Sequence, residues 1–230
     1  MSKLRSITMA RRTVNIEGAL RDPNLLGSAL GDVETWLTWI VVLLASFGLP
    51  LNDEQLKIFR EVAGDRSPPT QRVRELWVSA SRRSGKSRMA AALAVFIALF
   101  CKHKLASGEQ GAVLILAASV FQSRVVYGYV KSFLTSSPVL RKEIANITKE
   151  EITLRSGITI SCHANSFRTV RGRTLVAAIF DEISYWRDDT SATPDAEVYS
   201  AILPALATTN GLLCAISSPY RKTGLLYAKY

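Results

Sequence analysis

Residues 74–100 constrain the fold of this chain more than any other stretch, because they read as a strand, a tight loop and a helix. Trp77 and Val78 lie in a short apolar run that is typical of a buried strand. The polar residues 81–85 end that run and predict a loop, and the segment from Lys86 onward predicts a buried helix. At the junction, Gly85-Lys86-Ser87 matches the second half of the phosphate-binding pattern G-x-x-x-x-G-K-[ST].

The start of a helix at Lys86 would present unpaired backbone N–H groups and a partial positive charge to phosphate oxygens. Gly85 would let the backbone wrap the phosphates, Lys86 would reach the β- and γ-phosphates, and the Ser87 hydroxyl would bind Mg²⁺. Where the pattern has its first glycine this chain has Ala80, so we expect the loop to enter the site differently. The alternative is an ordinary helix start. The candidate binding residues are Ser81, Arg82, Arg83, Ser84, Gly85, Lys86 and Ser87.

A second motif lies 95 residues further along, where the apolar run 175–180 is followed by Asp181 and Glu182. A strand that ends in two acids is the Walker B pattern, in which Asp181 would hold Mg²⁺ and Glu182 would orient and activate the attacking water. Such a pair carries an energetic cost unless a cation compensates the charge. The same residues could simply cap a helix, but their order after the Lys86 motif favours a nucleotide site.

Three further segments have both a functional and a structural interpretation. Gln55, in the first turn of a helix capped by Asn52 or Asp53, could contact adenine or be a solvated polar residue. Ser217 and Ser218 follow the buried strand 212–216 and could sense the γ-phosphate or merely begin a turn. The loop 167–173 carries three arginines that could contact DNA phosphates, supply an arginine finger to a neighbouring subunit, or form a solvated turn: Arg168, Arg171 and Arg173.

Composition limits the class of protein. The 230 residues are 48% hydrophobic and 21% charged, which is typical of a globular chain with a substantial core. A formal charge of +10 predicts a polyanionic partner such as nucleic acid. The three cysteines, Cys101, Cys162 and Cys214, predict buried free thiols in a reducing, cytoplasmic setting. The run 36–47 is too short to span a bilayer and predicts a buried helix capped near Asp32.

Helical patterns alternate with apolar strands, which predicts an α/β fold with a mostly parallel sheet and a ligand at the carboxyl ends of its strands. Residues 151–162 alternate around Ser156-Gly157 and predict a β-hairpin near the sheet edge. Residues 1–30 read as a flexible basic N-terminal arm, which leaves 31–230 for the folded domain.

Taken together, SRRSGKS, SFRTVRGRTLVAAIFDEISYW and ISSPYRKTG resemble the large terminase subunit of tailed bacteriophages over residues 51–230. The resemblance implies an N-terminal DNA-packaging ATPase domain with a P-loop NTPase fold of the additional-strand, catalytic-glutamate type. In that family an arginine-bearing phosphate loop without its first glycine is common, which turns Ala80 into support. The resemblance further implies ATP and Mg²⁺ as cofactors, double-stranded DNA as a partner, and a ring of identical subunits, expected to be a pentamer, on a portal. A small terminase subunit and the host cytoplasm are implied with them.

Residue roles follow from the same resemblance. Lys86, Ser87, Asp181 and Glu182 would bind and hydrolyse MgATP, and Gln55 matches the adenine-side glutamine of the family. Either Arg82 or Arg83 would lie on the γ-phosphate, Arg171 would be the trans-acting finger, and Ser217 with Ser218 would form the coupling motif.

The family also has a C-terminal RNase H-like nuclease that nothing in this sequence matches, so we expect the ATPase portion of a longer protein. A helicase or remodelling ATPase, and a non-hydrolysing nucleic-acid-binding module with a degenerate phosphate loop, are the alternatives.

Overall fold

Seven strands form one central sheet in the computed structural model, which describes residues 14–165, 172–186 and 194–229. The strands are Glu75–Ser79 (β1), Gly111–Ala117 (β2), Ile144–Ile147 (β3), Glu151–Leu154 (β4), Thr159–Ala164 (β5), Thr174–Asp181 (β6) and Leu212–Ser217 (β7). Their order across the sheet is β1-β7-β6-β2-β5-β4-β3.

Five neighbouring strands run parallel, in the sheet order β1, β7, β6, β2 and β5. Strands β4 and β3 extend the sheet beyond β5 in antiparallel fashion. Every residue of β2 and β7 is buried, as expected for central strands that are covered on both faces. Parallel strands all end at the same edge, so β1, β6 and β7 bring Ser79, Asp181 and Ser217 to one side of the sheet. The predicted α/β fold with a mostly parallel sheet is confirmed.

The helices cover the two faces of the sheet. They are Ile16–Arg21 (α1), Leu37–Ser46 (α2), Asp53–Ala63 (α3), Lys86–Phe100 (α4), Val120–Ser136 (α5), Pro138–Arg141 (α6), Pro194–Ala207 (α7) and Leu225–Lys229 (α8), with short 3₁₀ helices at Leu26–Ala29, Val33–Trp36 and Ile183–Tyr185. Helices α1, α2, α4 and α5 share one hydrophobic core, and α7 packs in a second core on the other side. Among the described helices none combines the length and the apolar character needed to cross a membrane.

The predicted hairpin is formed by β4 and β5, whose turn contains Gly157 with a positive φ of 85°. The edge of the sheet, however, belongs to β3, a strand that the sequence analysis did not predict. Its four residues IANI are mostly exposed and lack the alternating pattern of a half-buried strand. This strand is defined by its pairing with β4, which begins with Ile144 opposite Leu154, and not by an apolar face.

The predicted N-terminal arm is wrong for residues 14–30. Asn15 caps α1 by accepting a hydrogen bond from Gly18 N at 2.8 Å, and Ile16, Leu20 and Leu26 are fully buried in the core that contains α4. This segment reads as polar because charged and polar residues separate its apolar ones. The apolar residues of α1 nevertheless lie on one helical face, and Leu26, in the 3₁₀ helix that follows, joins the same core. The rest of the predicted arm, residues 1–13, lies outside the described residues.

Candidate nucleotide site

The loop at residues 80–85 joins β1 to α4 at the carboxyl end of the sheet, and we call it the phosphate loop. Ala80 N donates to Ser217 O at 3.0 Å, which extends the pairing of β1 with β7 by one residue. The left-handed conformations fall later in the loop, at Arg83 with φ 64° and at Gly85 with φ 80°. Alanine is therefore compatible with the first position of the pattern, because no positive φ is needed there.

Lys86 lies at the centre of the site with only 5% of its surface exposed. Its ammonium group donates to Ser81 O at 2.8 Å and to Ser218 Oγ at 3.0 Å, and it lies 3.5 Å from Glu182 Oε1. A buried ammonium needs this kind of compensation, and each partner is an oxygen. The loop, the end of β6 and the end of β7 therefore meet at one positive charge.

Ser87 and Asp181 form the second contact between the two motifs, since Ser87 Oγ donates to Asp181 Oδ1 at 2.9 Å. Asp181 is 2% exposed, and burial raises the pKa of its carboxyl group from 3.8 to about 6. The value of about 6 is the net result of burial, which is the largest cause, of the Ser87 hydrogen bond and the Lys86 charge, which lower the pKa, and of the negative charge of Glu182, which raises it. A carboxylate in this position gains from any cation that binds beside it.

The donor set at Ser87 and Asp181 fits a magnesium ion. A hydroxyl and a carboxylate oxygen are hard ligands, and Mg²⁺ is commonly held by one or two such groups together with substrate phosphates and water. Within the described ranges no group of three or more His, Cys, Asp or Glu side chains could hold a metal ion.

Glu182 connects β6 to the tip of β7. Its Oε2 accepts hydrogen bonds from Ser217 Oγ at 3.0 Å and from Ser218 N at 2.9 Å, and its Oε1 accepts one from Ser218 Oγ at 3.3 Å. The residue has a left-handed backbone with φ 52°, which is uncommon outside glycine and concentrates at functional sites. The structure thus brings together the predicted phosphate loop, acidic pair and serine pair.

The arginines and the second serine of the phosphate loop differ in their surroundings. Arg82 is exposed and its guanidinium lies 3.4 Å from Tyr185 Oη, to which it donates a hydrogen bond. Arg83 is exposed as well. The Ser84 hydroxyl is buried and has no hydrogen-bond partner within the described part of the chain. The predicted contacts of Arg82 or Arg83 with the γ-phosphate stay predictions.

Gln55 is 7% exposed and its side-chain amide is used locally. Asn52 and Gln55 form a reciprocal capping box at the start of α3, in which Gln55 Oε1 accepts from Asn52 N at 3.1 Å. Gln55 Nε2 donates to Glu17 Oε1 at 3.4 Å. The expected cap by Asn52 is confirmed, whereas the adenine contact stays a prediction.

Two of the three predicted loop arginines, Arg168 and Arg171, lie outside the described residues. Arg173 is described, and its guanidinium donates to Ser161 Oγ at 3.1 Å and lies 3.6 Å from Glu151 Oε2. It therefore bridges the start of β6 to the hairpin.

Three tryptophans contact the site and were missed by the sequence analysis. Trp39 Nε1 donates to Ser84 O at 2.7 Å, and a Cβ at Gly85 would lie 2.3 Å from Trp36 Cζ3. Trp186 Nε1 donates to Asp181 O at 3.0 Å. Tryptophan in an apolar run predicts core packing. The one signal for a further contact is that a buried indole N–H normally donates to an acceptor, but the sequence does not identify that acceptor.

Solved structures of phage large terminases have a similar fold. The structure superposes on the large terminase of bacteriophage HK97 with a TM-score of 0.54 and 18% identity, covering 82% of this chain and 39% of that one. A mutant of the large terminase ATPase domain of Thermus phage P74-26 gives a TM-score of 0.50 and 18% identity, covering 79% of this chain and 70% of that one. The chain has the fold of a phage large-terminase ATPase domain. No protein-family model and no curated protein matches the sequence.

The terminase-type fold accounts for the position of the site. In open α/β sheets, ligands bind outside the carboxyl ends of the strands. In this sheet those ends carry Lys86, Glu182 and Ser218, which contact one another, and Asp181, which contacts Ser87. The chain spans 39% of the length of the HK97 protein, so the similarity concerns one part of a large terminase.

Proposed function

We propose that this chain is an ATP-hydrolysing motor domain that drives double-stranded DNA into a viral procapsid. The observation that carries the proposal is the convergence of Lys86, Ser87, Asp181 and Glu182 through contacts of 2.9–3.5 Å. These residue types are the ones that phosphoryl transfer requires: a cation for the phosphates, ligands for a metal ion and a base for water. Their meeting at the end of a parallel sheet, beside a helix N-terminus, favours a nucleoside triphosphate as the ligand.

ATP binds with its phosphates at the start of α4, where Lys86 exchanges its contacts with Ser81 O and Ser218 Oγ for phosphate oxygens. Mg²⁺ held by Ser87 and Asp181 would neutralise charge on the β- and γ-phosphates. Glu182 orients a water and accepts its proton as the water oxygen bonds to the γ-phosphorus. The bond from that phosphorus to the β–γ bridging oxygen breaks, and ADP and phosphate leave.

Coupling to movement rests on the contacts between Glu182 and the tip of β7. Ser218 accepts a hydrogen bond from Lys86 and donates one to Glu182, so it reports on both residues. When the γ-phosphate leaves, Lys86 returns to Ser218 Oγ, and this change of partners relaxes the β7 tip and shifts the segment that follows it. This segment leads to α8 and is the route by which hydrolysis moves a DNA-gripping surface.

The remaining roles complete the proposal. Gln55 contacts adenine, Arg82 or Arg83 contacts the γ-phosphate, and Arg171 acts on the nucleotide of the next subunit. The formal charge of +10 suits double-stranded DNA, whose phosphates attract basic proteins without regard to sequence. Other copies of the chain form a ring, expected to be a pentamer, which works with a portal and a small terminase subunit in the host cytoplasm.

A complementation assay tests both hydrolysis and the shared site. In the presence of duplex DNA, phosphate release per protein should rise with protein concentration, because Arg171 must come from a second subunit. Arg171→Ala should lower turnover by about 10³-fold, the lower end of the range for arginine fingers. Mixing Arg171→Ala with Glu182→Gln should restore part of the activity, since each variant supplies what the other lacks. Arg124→Ala, an exposed arginine of α5, is the matched control.

The outcomes separate the alternatives. Wild-type turnover in Arg171→Ala, or a rate per protein that does not change with concentration, would exclude the trans finger. No phosphate release at any concentration would exclude the ATPase and leave the non-hydrolysing module. Separation of the DNA strands would point to the helicase reading.

A further inference from the structure

We infer that Trp39 is a positioning residue for nucleotide binding, which fixes the peptide between Ser84 and Gly85 so that its N–H faces the phosphates. The inference rests on the proposed function and assigns a role to a residue of α2, outside the two nucleotide motifs. Trp39 Nε1 donates to Ser84 O at 2.7 Å, across 45 residues of sequence. This is a short, well-formed hydrogen bond from an indole that is partly buried.

Because the peptide bond is planar, the contact with the Ser84 carbonyl also fixes the direction of the Gly85 N–H in the phosphate loop. In a trans peptide the carbonyl and the N–H point in opposite directions. Because Trp39 holds the Ser84 carbonyl towards α2, the Gly85 N–H is directed away from α2. Backbone N–H groups of such a loop are the donors that cradle the phosphates. A reversed peptide would present a carbonyl oxygen to the phosphates and repel them.

A second tryptophan keeps the loop against the same support. The ring of Trp36 lies so close to Gly85 that a Cβ at that position would be 2.3 Å from Cζ3. Trp36 is itself held, since its Nε1 donates to Leu30 O at 3.2 Å and the Arg88 guanidinium lies 5.4 Å from its ring centroid. Both indoles thus come from residues 33–46, which pack on α4 in the main core.

The loop needs such support because its own sequence does not favour its conformation. Arg83 has a left-handed backbone with φ 64°, which is unfavourable for a residue other than glycine. A strained conformation persists only where the surroundings over-determine it. Within the described residues the Ser84 hydroxyl has no hydrogen-bond partner. The backbone carbonyl of Ser84 is held by the side chain of Trp39.

The test removes the N–H donor and keeps the aromatic ring. Trp39→Phe should weaken the binding of ATP and of ADP by the same factor, about 5- to 10-fold, as expected for one lost hydrogen bond. The binding of adenosine should not change, because it has no phosphate. KM for ATP should rise by a similar factor while kcat at saturation stays within about twofold. Calorimetric titration and phosphate release measure these quantities.

Trp77→Phe is the matched control, because Trp77 Nε1 also donates a hydrogen bond, to Glu75 Oε2 at 2.8 Å, and packs in the second core. Incorporation of 3-benzothienylalanine at position 39 replaces the indole N–H by sulfur with the same shape, and covers the case in which Trp39→Phe fails to fold. Equal ATP affinities in the position-39 and position-77 variants would overturn the inference. If the wild-type protein still hydrolyses ATP in that case, the proposed function stands. A wild-type chain that binds no ATP would overturn both.

Discussion

Glu182→Gln should lower ATP turnover by about 10²–10⁴-fold, the range for loss of a general base, while ATP affinity stays within a few-fold of wild type. The amide keeps an oxygen that can accept from Ser218 N, so the β7 tip retains its contact. It cannot take a proton from water at neutral pH, and the loss therefore falls on kcat. Phosphate release in single-turnover conditions measures the chemical step, and calorimetric titration measures binding.

Glu61→Gln is the control for the Glu182 experiment, because Glu61 is exposed on α3 and undergoes the same change of charge. Turnover in the Glu182→Gln variant equal to that of the control would remove Glu182 from the role of base. If the Glu182→Gln variant loses both ATP binding and turnover, Glu182 is instead a structural partner of Lys86. The Lys86 ammonium lies 3.5 Å from the Glu182 carboxylate.

Asp181→Asn should make the nucleotide-free protein more stable at neutral pH, although it removes a proposed magnesium ligand. Burial raises the pKa of Asp181 from 3.8 to about 6, so the folded protein holds this proton more tightly than the unfolded chain. Stability from this group is therefore present at low pH and is lost as the pH rises from about 4 to about 6. Above pH 6 the cost approaches about 3 kcal/mol, and we expect Asp181→Asn to recover about 1–3 kcal/mol of it.

Chemical denaturation of wild type and Asp181→Asn between pH 4 and pH 8 measures this effect. The difference in free energy of unfolding should be small near pH 4 and should grow to a plateau above pH 6. Asp65→Asn, in an exposed loop, is the control and should show no such growth. A variant less stable than wild type at pH 7.5 would mean that the carboxylate is stabilised in the fold, contrary to its burial.

The central strands and the junction at Lys86 could be predicted because their signals are local. The buried run of β2, the acids at the end of β6 and Gly85-Lys86-Ser87 can each be recognised within a few residues, and parallel topology then brings the strand ends together. The cap by Asn52 could also be predicted, since Asn52 and Gln55 lie only three positions apart.

Other parts could not be predicted because they depend on partners far away in the sequence. Trp39 contacts a carbonyl 45 residues along the chain, and β3 exists as an edge strand only because β4 lies beside it. The buried face of α1 consists of Ile16, Ala19 and Leu20, and a helix of six residues is too short to show a period. The relation between Glu182 and Ser218 likewise appears only when β6 and β7 are neighbours.

The most direct test of the account is calorimetric titration of ATP into the wild type, Lys86→Ala and Asp181→Asn, each with and without Mg²⁺. A single site formed by both motifs predicts that Mg²⁺ strengthens ATP binding to the wild type, that Lys86→Ala abolishes binding in either condition, and that Asp181→Asn loses only the strengthening by Mg²⁺. If Mg²⁺ strengthens binding to Asp181→Asn as much as to the wild type, the acidic pair and the phosphate loop do not share one nucleotide, and the account is contradicted.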